Sequence, residues 1–106
     1  MIAYVTELNE VNFDDSVKEG LVLVDVAAVW CSPCRQLSPI VDKLSADFHG
    51  KITVGKVDAD GNPNTAEILG VRSIRTLIFY KDGKIVERLK GMQTYQKLKD
   101  IVEKYS

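Results

Sequence analysis

Two cysteines, Cys31 and Cys34, stand three positions apart and carry the chemistry that this sequence most clearly suggests. A pair at this spacing can cycle between two thiols and one intramolecular disulfide, which transfers two electrons. The 106-residue chain has no other cysteine, and a bridge that closes so small a loop does little as a structural staple. In a reducing compartment such a pair is more often catalytic or metal-binding than structural. The spacing therefore predicts a thiol-based redox centre or a metal site.

The elements predicted around the pair place it where a buried strand meets a helix. The valine-rich run at residues 21–29 is typical of a strand buried on both faces, and apolar residues recur at helical spacing over 34–48. Cys31 would precede the first helical turn, where unpaired N–H groups and the helix dipole favour a thiolate. Cys34, one turn along, would be more shielded. We therefore expect Cys31 to attack a target disulfide and Cys34 to resolve the mixed disulfide.

Two other interpretations of the pair have less support. A zinc site needs three or four ligands, whereas the chain has one histidine, His49, and no second pair of cysteines. Cys31 and Cys34 could also pack as two small, inert hydrophobic side chains. The spacing alone is a weak signal, but its place at a strand–helix junction in a βαβ pattern favours redox chemistry.

The rest of the chain predicts one α/β domain over residues 1–106, in layers around a partly parallel sheet. A Pro or Gly, an N-cap residue or a tight turn bounds most of the elements. The predicted elements are a first strand at 3–8, a helix at 12–18 ended by Gly20, a strand at 51–57, a helix opened by Asn62 and Pro63, a hairpin of 77–80 and 84–89 around Asp82-Gly83, and a last helix capped by Thr94.

Composition excludes several classes of function. The formal net charge is −1 and no basic run is present, which argues against nucleic acid or an anionic membrane as the partner. The longest apolar stretch, residues 21–30, is interrupted by Asp25 and is too short to span a bilayer. No signal peptide is visible at the N-terminus, so the cytoplasm is the expected compartment.

Beyond the cysteine pair, several segments match one known family in order and spacing. Together they resemble the thioredoxin family along essentially the whole chain. The resemblance implies a three-layer α/β/α sandwich with a mixed sheet of four to five strands and about four helices. The matching segments are Val24-Asp25, residues 30–35 (WCSPCR), Pro39, residues 56–60 (KVDAD), residues 74–76 (IRT), residues 81–83 (KDG) and Gly91.

The resemblance also implies roles for individual residues. Cys31 would be the nucleophile and Cys34 the resolving thiol. Asp25 would be a buried carboxylate that relays a proton to or from Cys34, its pKa raised by desolvation, and Lys56 would be the partner of that carboxylate. The structural alternatives are an Asp25 that only ends its strand or caps the helix, a Lys56 exposed on a strand edge, and a Trp30 that is simply a core aromatic.

The resemblance further implies a surface for substrates and a set of partners. The substrates would be protein disulfides, and a flavoprotein reductase would return electrons to the pair. No bound cofactor is needed because the dithiol is the redox centre, and a monomer is expected. The residues that would contact substrates are Trp30, Ser32, Pro33, Ile74, Arg75, Thr76 and Gly91.

One position departs from the family pattern in a way that bears on function. Arg75 stands where the family almost always has a cis-proline. A cis bond before a residue other than proline costs about 2.5–4 kcal/mol, so we predict a trans Ile74–Arg75 bond and a rebuilt loop that binds substrates less tightly. The Arg75 charge would either favour the Cys31 thiolate, which makes the couple more oxidising, or point to solvent and change only the loop.

Three other functions follow from the same residues and can be distinguished by experiment. A more oxidising couple would suit an oxidase or isomerase. Loss of the cis-proline could let two chains share an iron–sulfur cluster or a metal through Cys31 and Cys34, and purified protein would then be coloured. A redox-inactive scaffold would fail to reduce insulin, but an intact Cys31, Cys34 and Asp25 argue against it.

Overall fold

In the part of the chain that the structure describes, five strands and four helices follow one another in the order predicted from the sequence. The computed structural model describes residues 4–27, 32–68 and 76–106, with the backbone alone for 32–35 and 66–68. The elements are β1 (Val5–Leu8), α1 (Phe13–Val17), β2 (Leu21–Ala27), α2 (Ser32–Asp47), β3 (Thr53–Asp58), α3 (Pro63–Ile68), β4 (Thr76–Lys81), β5 (Lys84–Lys90) and α4 (Tyr95–Tyr105).

The strands form one mixed sheet in the order β1-β3-β2-β4-β5. β1, β3 and β2 are parallel, whereas β4 and β5 are antiparallel to their neighbours. This confirms the partly parallel sheet expected from the α/β pattern. β2 lies at the centre, and its first six residues are all buried, which explains its continuous apolar run.

Apolar side chains cover both faces of the sheet. On one face the strands pack against α2 and α4, whose Leu37, Val41 and Leu98 are completely buried. On the other face they pack against Phe13 and Val17 of α1. These layers confirm the predicted sandwich and fix α2 above the strands that precede and follow it.

The turn signals identified in the sequence act as predicted at two places. Asp82 and Gly83 both have positive φ, 51° and 85°, which is the backbone geometry of a two-residue hairpin turn that matches the twist of the strands. Thr94 accepts a hydrogen bond from the Lys97 N–H at 3.2 Å and so caps α4.

The cap of α3 differs from the prediction that Asn62 supplies it. Pro63 is the first residue of α3, as expected, but the Asn62 Oδ1 accepts from the Glu10 N–H at 3.2 Å. The Asn64 N–H in the first turn donates to the Glu10 carboxylate, also at 3.2 Å. The capping acceptor therefore comes from a residue distant in sequence, because the loop after β1 lies beside the start of α3.

We expect Gly55→Ala to destabilise the fold by about 1–3 kcal/mol, which is typical of overpacking a well-filled core. A Cβ at Gly55 in β3 would lie 2.6 Å from Leu8 Cγ, and Leu8 is 1% exposed, so the Leu8 side chain has little room to move away. Urea unfolding measures the loss. Gly61→Ala is the matched control because its Cβ would meet only the Asp58 side chain, with the nearest atom, Oδ2, at 3.2 Å. Equal midpoints for the two variants would contradict the steric argument.

Candidate functional site

The predicted site residues that the structure describes gather at one end of the sheet. Val26 near the carboxyl end of β2 pairs with Thr76 at the start of β4, and Thr76 pairs with Lys90 at the end of β5. Gly91 follows directly, with a φ of +80° that favours glycine. Thr76 and Gly91, at the two ends of one hairpin, are thus brought to the edge from which the chain leads into α2.

α2 begins at Ser32, so the backbone of Cys34 lies in its first turn. Pro33 is the second helical residue rather than the first, still within the turn where a missing N–H costs little. The predicted residues Trp30, Cys31, Ile74 and Arg75 lie outside the described residues, and the trans Ile74–Arg75 bond stays a prediction.

Asp25 is a buried acid inside the central strand. It is 3% exposed, in register with Lys56 of β3 on one side and Leu77 of β4 on the other. Desolvation by burial raises its pKa from 3.8 to about 6, an effect that the Lys56 charge opposes and the Asp42 charge reinforces. Such a carboxyl group can exchange a proton near neutral pH, which a surface aspartate does poorly.

Lys56 occupies a different setting from a lysine on an exposed strand edge. Its strand, β3, lies between β1 and β2, and its side chain is 34% exposed. The Lys56 Nζ donates to Ser38 Oγ at 2.6 Å and lies 3.4 Å from Asp42 Oδ1, both on α2. Lys56 therefore acts on Asp25 through its charge while α2 holds its ammonium group.

Ser38 and Asp42 were not among the residues predicted for the site. Their spacing carried a usable signal: they are four residues apart and each directly follows an apolar residue of α2, Leu37 and Val41. This puts a polar pair along the border of the buried stripe of α2. The sequence alone did not show that Lys56 would reach this border.

Neither a membrane-spanning helix nor a metal site is found in the parts of the chain that the structure describes. None of the helices in residues 4–27, 32–68 and 76–106 has the length and apolar character needed to cross a bilayer. Within the same ranges, no three side chains among histidine, cysteine, aspartate and glutamate are grouped to hold a metal ion.

Comparisons with known proteins agree with one another. The family model described as thioredoxin matches residues 4–104. A thioredoxin from Staphylococcus saprophyticus is 40% identical over 101 residues, 95% of this chain and 97% of the relative. One from Staphylococcus aureus is 39% identical over the same shares. The solved structure of a single-site mutant of a thioredoxin from Halobacterium salinarum matches with a TM-score of 0.87 at 35% identity, covering 95% of this chain and 89% of that one.

Proposed function

The chain belongs to the thioredoxin family and is a thiol–disulfide oxidoreductase of the protein-disulfide reductase type, and from this premise we propose that its electrons pass through Cys31 and Cys34. The observation that carries the proposal is the buried Asp25, 3% exposed. It lies on the α2 side of the sheet, and the first turn of α2 contains Cys34. A buried acid of raised pKa on the side of the sheet that α2 covers is suited to exchange protons with the cysteines in this proposal.

In the proposed cycle the Cys31 thiolate attacks one sulfur of a target disulfide and releases the other as a thiolate. The Cys34 thiol loses its proton to the Asp25 carboxylate, directly or through one water, and attacks the Cys31 sulfur. The target leaves with its second sulfur reduced. It has gained two electrons from the cysteine pair and two protons, one by way of Asp25 and one from water, which took up the Cys31 proton when the thiolate formed. Cys31 and Cys34 end as a disulfide, having lost the same two electrons.

The partners follow from the same cycle. Protein disulfides accept the electrons, and a thioredoxin reductase restores the dithiol; we propose that this reductase is a flavoprotein. We propose further that the chain works in the cytoplasm as a monomeric single domain and needs no bound cofactor, because the dithiol itself carries the electrons.

The substrate surface in this proposal surrounds the cysteines. Among the described residues, Thr76 and Gly91 support it because strand pairing brings them to the carboxyl end of β2. An extended substrate segment could bind there through backbone groups. Its other members are Trp30, Ser32, Pro33, Ile74 and Arg75.

The function is tested by reduction of insulin with dithiothreitol as the electron source, together with a glutathione equilibrium that gives the reduction potential. We expect catalysed reduction and a potential near the cytosolic glutathione poise of roughly −220 to −260 mV. A chain that does not speed insulin reduction would contradict the function. A potential far above this range would instead favour an oxidase or isomerase.

The two roles considered for Arg75 are separated by Arg75→Gln, with Arg75→Lys as the control that keeps the charge. If the guanidinium favours the Cys31 thiolate, the glutamine variant becomes more reducing and the lysine variant changes little. Equal potentials for all three proteins would assign Arg75 to loop geometry alone. The glutathione equilibrium measures both variants.

A further inference from the structure

We infer that Ser38 is a positioning residue that holds the Lys56 ammonium group level with Asp25. The inference rests on the proposed role of Asp25 in proton transfer. Its basis is the hydrogen bond of 2.6 Å from Lys56 Nζ to Ser38 Oγ, beside the longer ion pair of 3.4 Å to Asp42 Oδ1. The Ser38 hydroxyl and the Asp42 carboxylate, both on α2, thus bind the same flexible ammonium group.

Because of the direction in which α2 runs along the sheet, Ser38 and Asp42 lie at different distances from Asp25. Ser45 Oγ accepts from the Tyr4 N–H at 3.0 Å, and Tyr4 directly precedes β1, whose first residue pairs with Val54. α2 therefore runs from the carboxyl end of the sheet, where it begins, toward the amino ends of the parallel strands.

The rise of the helix then sets the level of each residue. Ser38 lies seven positions before Ser45, about 10 Å along the axis, which corresponds to about three strand residues. Three strand residues from Tyr4 toward the carboxyl end of the sheet reach the level of Lys56. Ser38 therefore lies level with Lys56, which is in register with Asp25. Asp42 lies about 6 Å further toward the amino ends.

The hydroxyl and the carboxylate therefore draw the ammonium group in different directions. Ser38 keeps the positive charge beside Asp25, whereas Asp42 draws it away and adds a negative charge of its own. Among the residues whose side chains the structure describes, the charges that act on Asp25 are Lys56 of β3 and Asp42 of α2; its neighbour in register on β4, Leu77, is apolar. Without the hydroxyl, the ammonium should shift toward Asp42 and attract the Asp25 carboxylate less.

The test follows the Asp25 carboxyl signal by carbon-13 NMR across a pH titration of the oxidised protein, in which the cysteines carry no titrating thiol. Ser38→Ala should raise the midpoint by about half a pH unit, as expected for a unit charge that moves a few ångströms in a partly buried site. Ser38→Thr keeps a hydroxyl and should restore the original midpoint. Asp42→Asn should move it in the opposite direction, downward.

A double variant separates positioning from a general structural effect. In a Lys56→Met background the ammonium is gone, so Ser38→Ala should cause no further shift. An unchanged midpoint in the single variant, a downward shift, or a shift that persists without Lys56 would each overturn the inference. The titration uses no substrate, so its result is independent of whether Cys31 and Cys34 perform the proposed exchange.

Discussion

Replacing Cys31 by serine should lower the rate of insulin reduction by about a thousandfold or more, the scale of loss when an enzyme loses its nucleophile. A serine hydroxyl is hardly ionised near neutral pH and forms no disulfide, so neither the attack nor the mixed disulfide is available. The insulin assay with dithiothreitol measures the loss against the uncatalysed rate. Far-ultraviolet circular dichroism shows whether the variant is folded.

Cys34→Ser is the matched control because it removes the same atom from the same motif. With Cys31 intact the first attack still occurs. When the reduced variant is freed of dithiothreitol before insulin is added, nothing resolves the mixed disulfide, so the protein should accumulate as a covalent adduct with its target. Non-reducing gels and mass spectrometry detect that adduct. An adduct with Cys31→Ser and none with Cys34→Ser would mean that the two cysteines have exchanged roles.

The different roles proposed for the two cysteines have a physical rationale in α2. Its backbone N–H groups in the first turn lack partners within the helix, and the aligned peptide dipoles place partial positive charge there. Cys34 belongs to this turn, the third residue of a 16-residue helix, and Cys31 precedes it in the chain. The sequence predicts this placement because Pro33 and the apolar spacing after it indicate where the helix starts.

The elements could be predicted because their signals are local. The hairpin turn needs positive φ at two adjacent positions, which Asp82 and Gly83 supply, and Thr94 lies three residues before the amide that it caps. The order of such elements is enough to predict an α/β sheet with parallel strands joined by helices.

The features that were missed depend on contacts between distant residues. Glu10 accepts a hydrogen bond from the first turn of α3, from a residue 54 positions away in sequence. Ser38 accepts one from Lys56, 18 positions away. Gly55 is required only because Leu8 packs against it. Strand register and the position of each helix on the sheet decide these contacts. The hydrophobic periodicity of a single segment does not specify the register or the helix position.

Asp25→Asn should stabilise the protein at neutral pH and slow its chemistry. The folded protein holds the Asp25 proton with a pKa of about 6, against 3.8 for an ordinary aspartate. Between these two values the folded state binds more protons than the unfolded state, so stability falls as pH rises through this window and stays lower above it. The difference of about two pKa units corresponds to about 3 kcal/mol. The asparagine side chain of the variant is neutral, so burying it does not cause this loss of stability.

Urea unfolding of the oxidised protein at pH 4 and pH 8 measures the effect. Most of the gain should be present at pH 8 and absent at pH 4, where the folded protein already holds the proton. Asp100→Asn is the control because this carboxylate is exposed on α4, and it should show no such dependence. A stability gain that is equal at the two pH values would mean that burial of the charge is not its cause.

The activity of the same variant completes the argument. Above pH 6 the native carboxylate can accept the Cys34 proton, whereas the amide cannot, so resolution of the mixed disulfide should slow by at least about tenfold at neutral pH. The dependence of the rate on a group with a pKa near 6 should disappear with it. Asp25 would then lower the free energy of unfolding by about 3 kcal/mol and raise the rate at which the mixed disulfide is resolved. This combination is expected when a buried charge serves catalysis at the expense of stability. Higher stability with an unchanged rate and pH profile would leave Asp25 without a role in proton transfer.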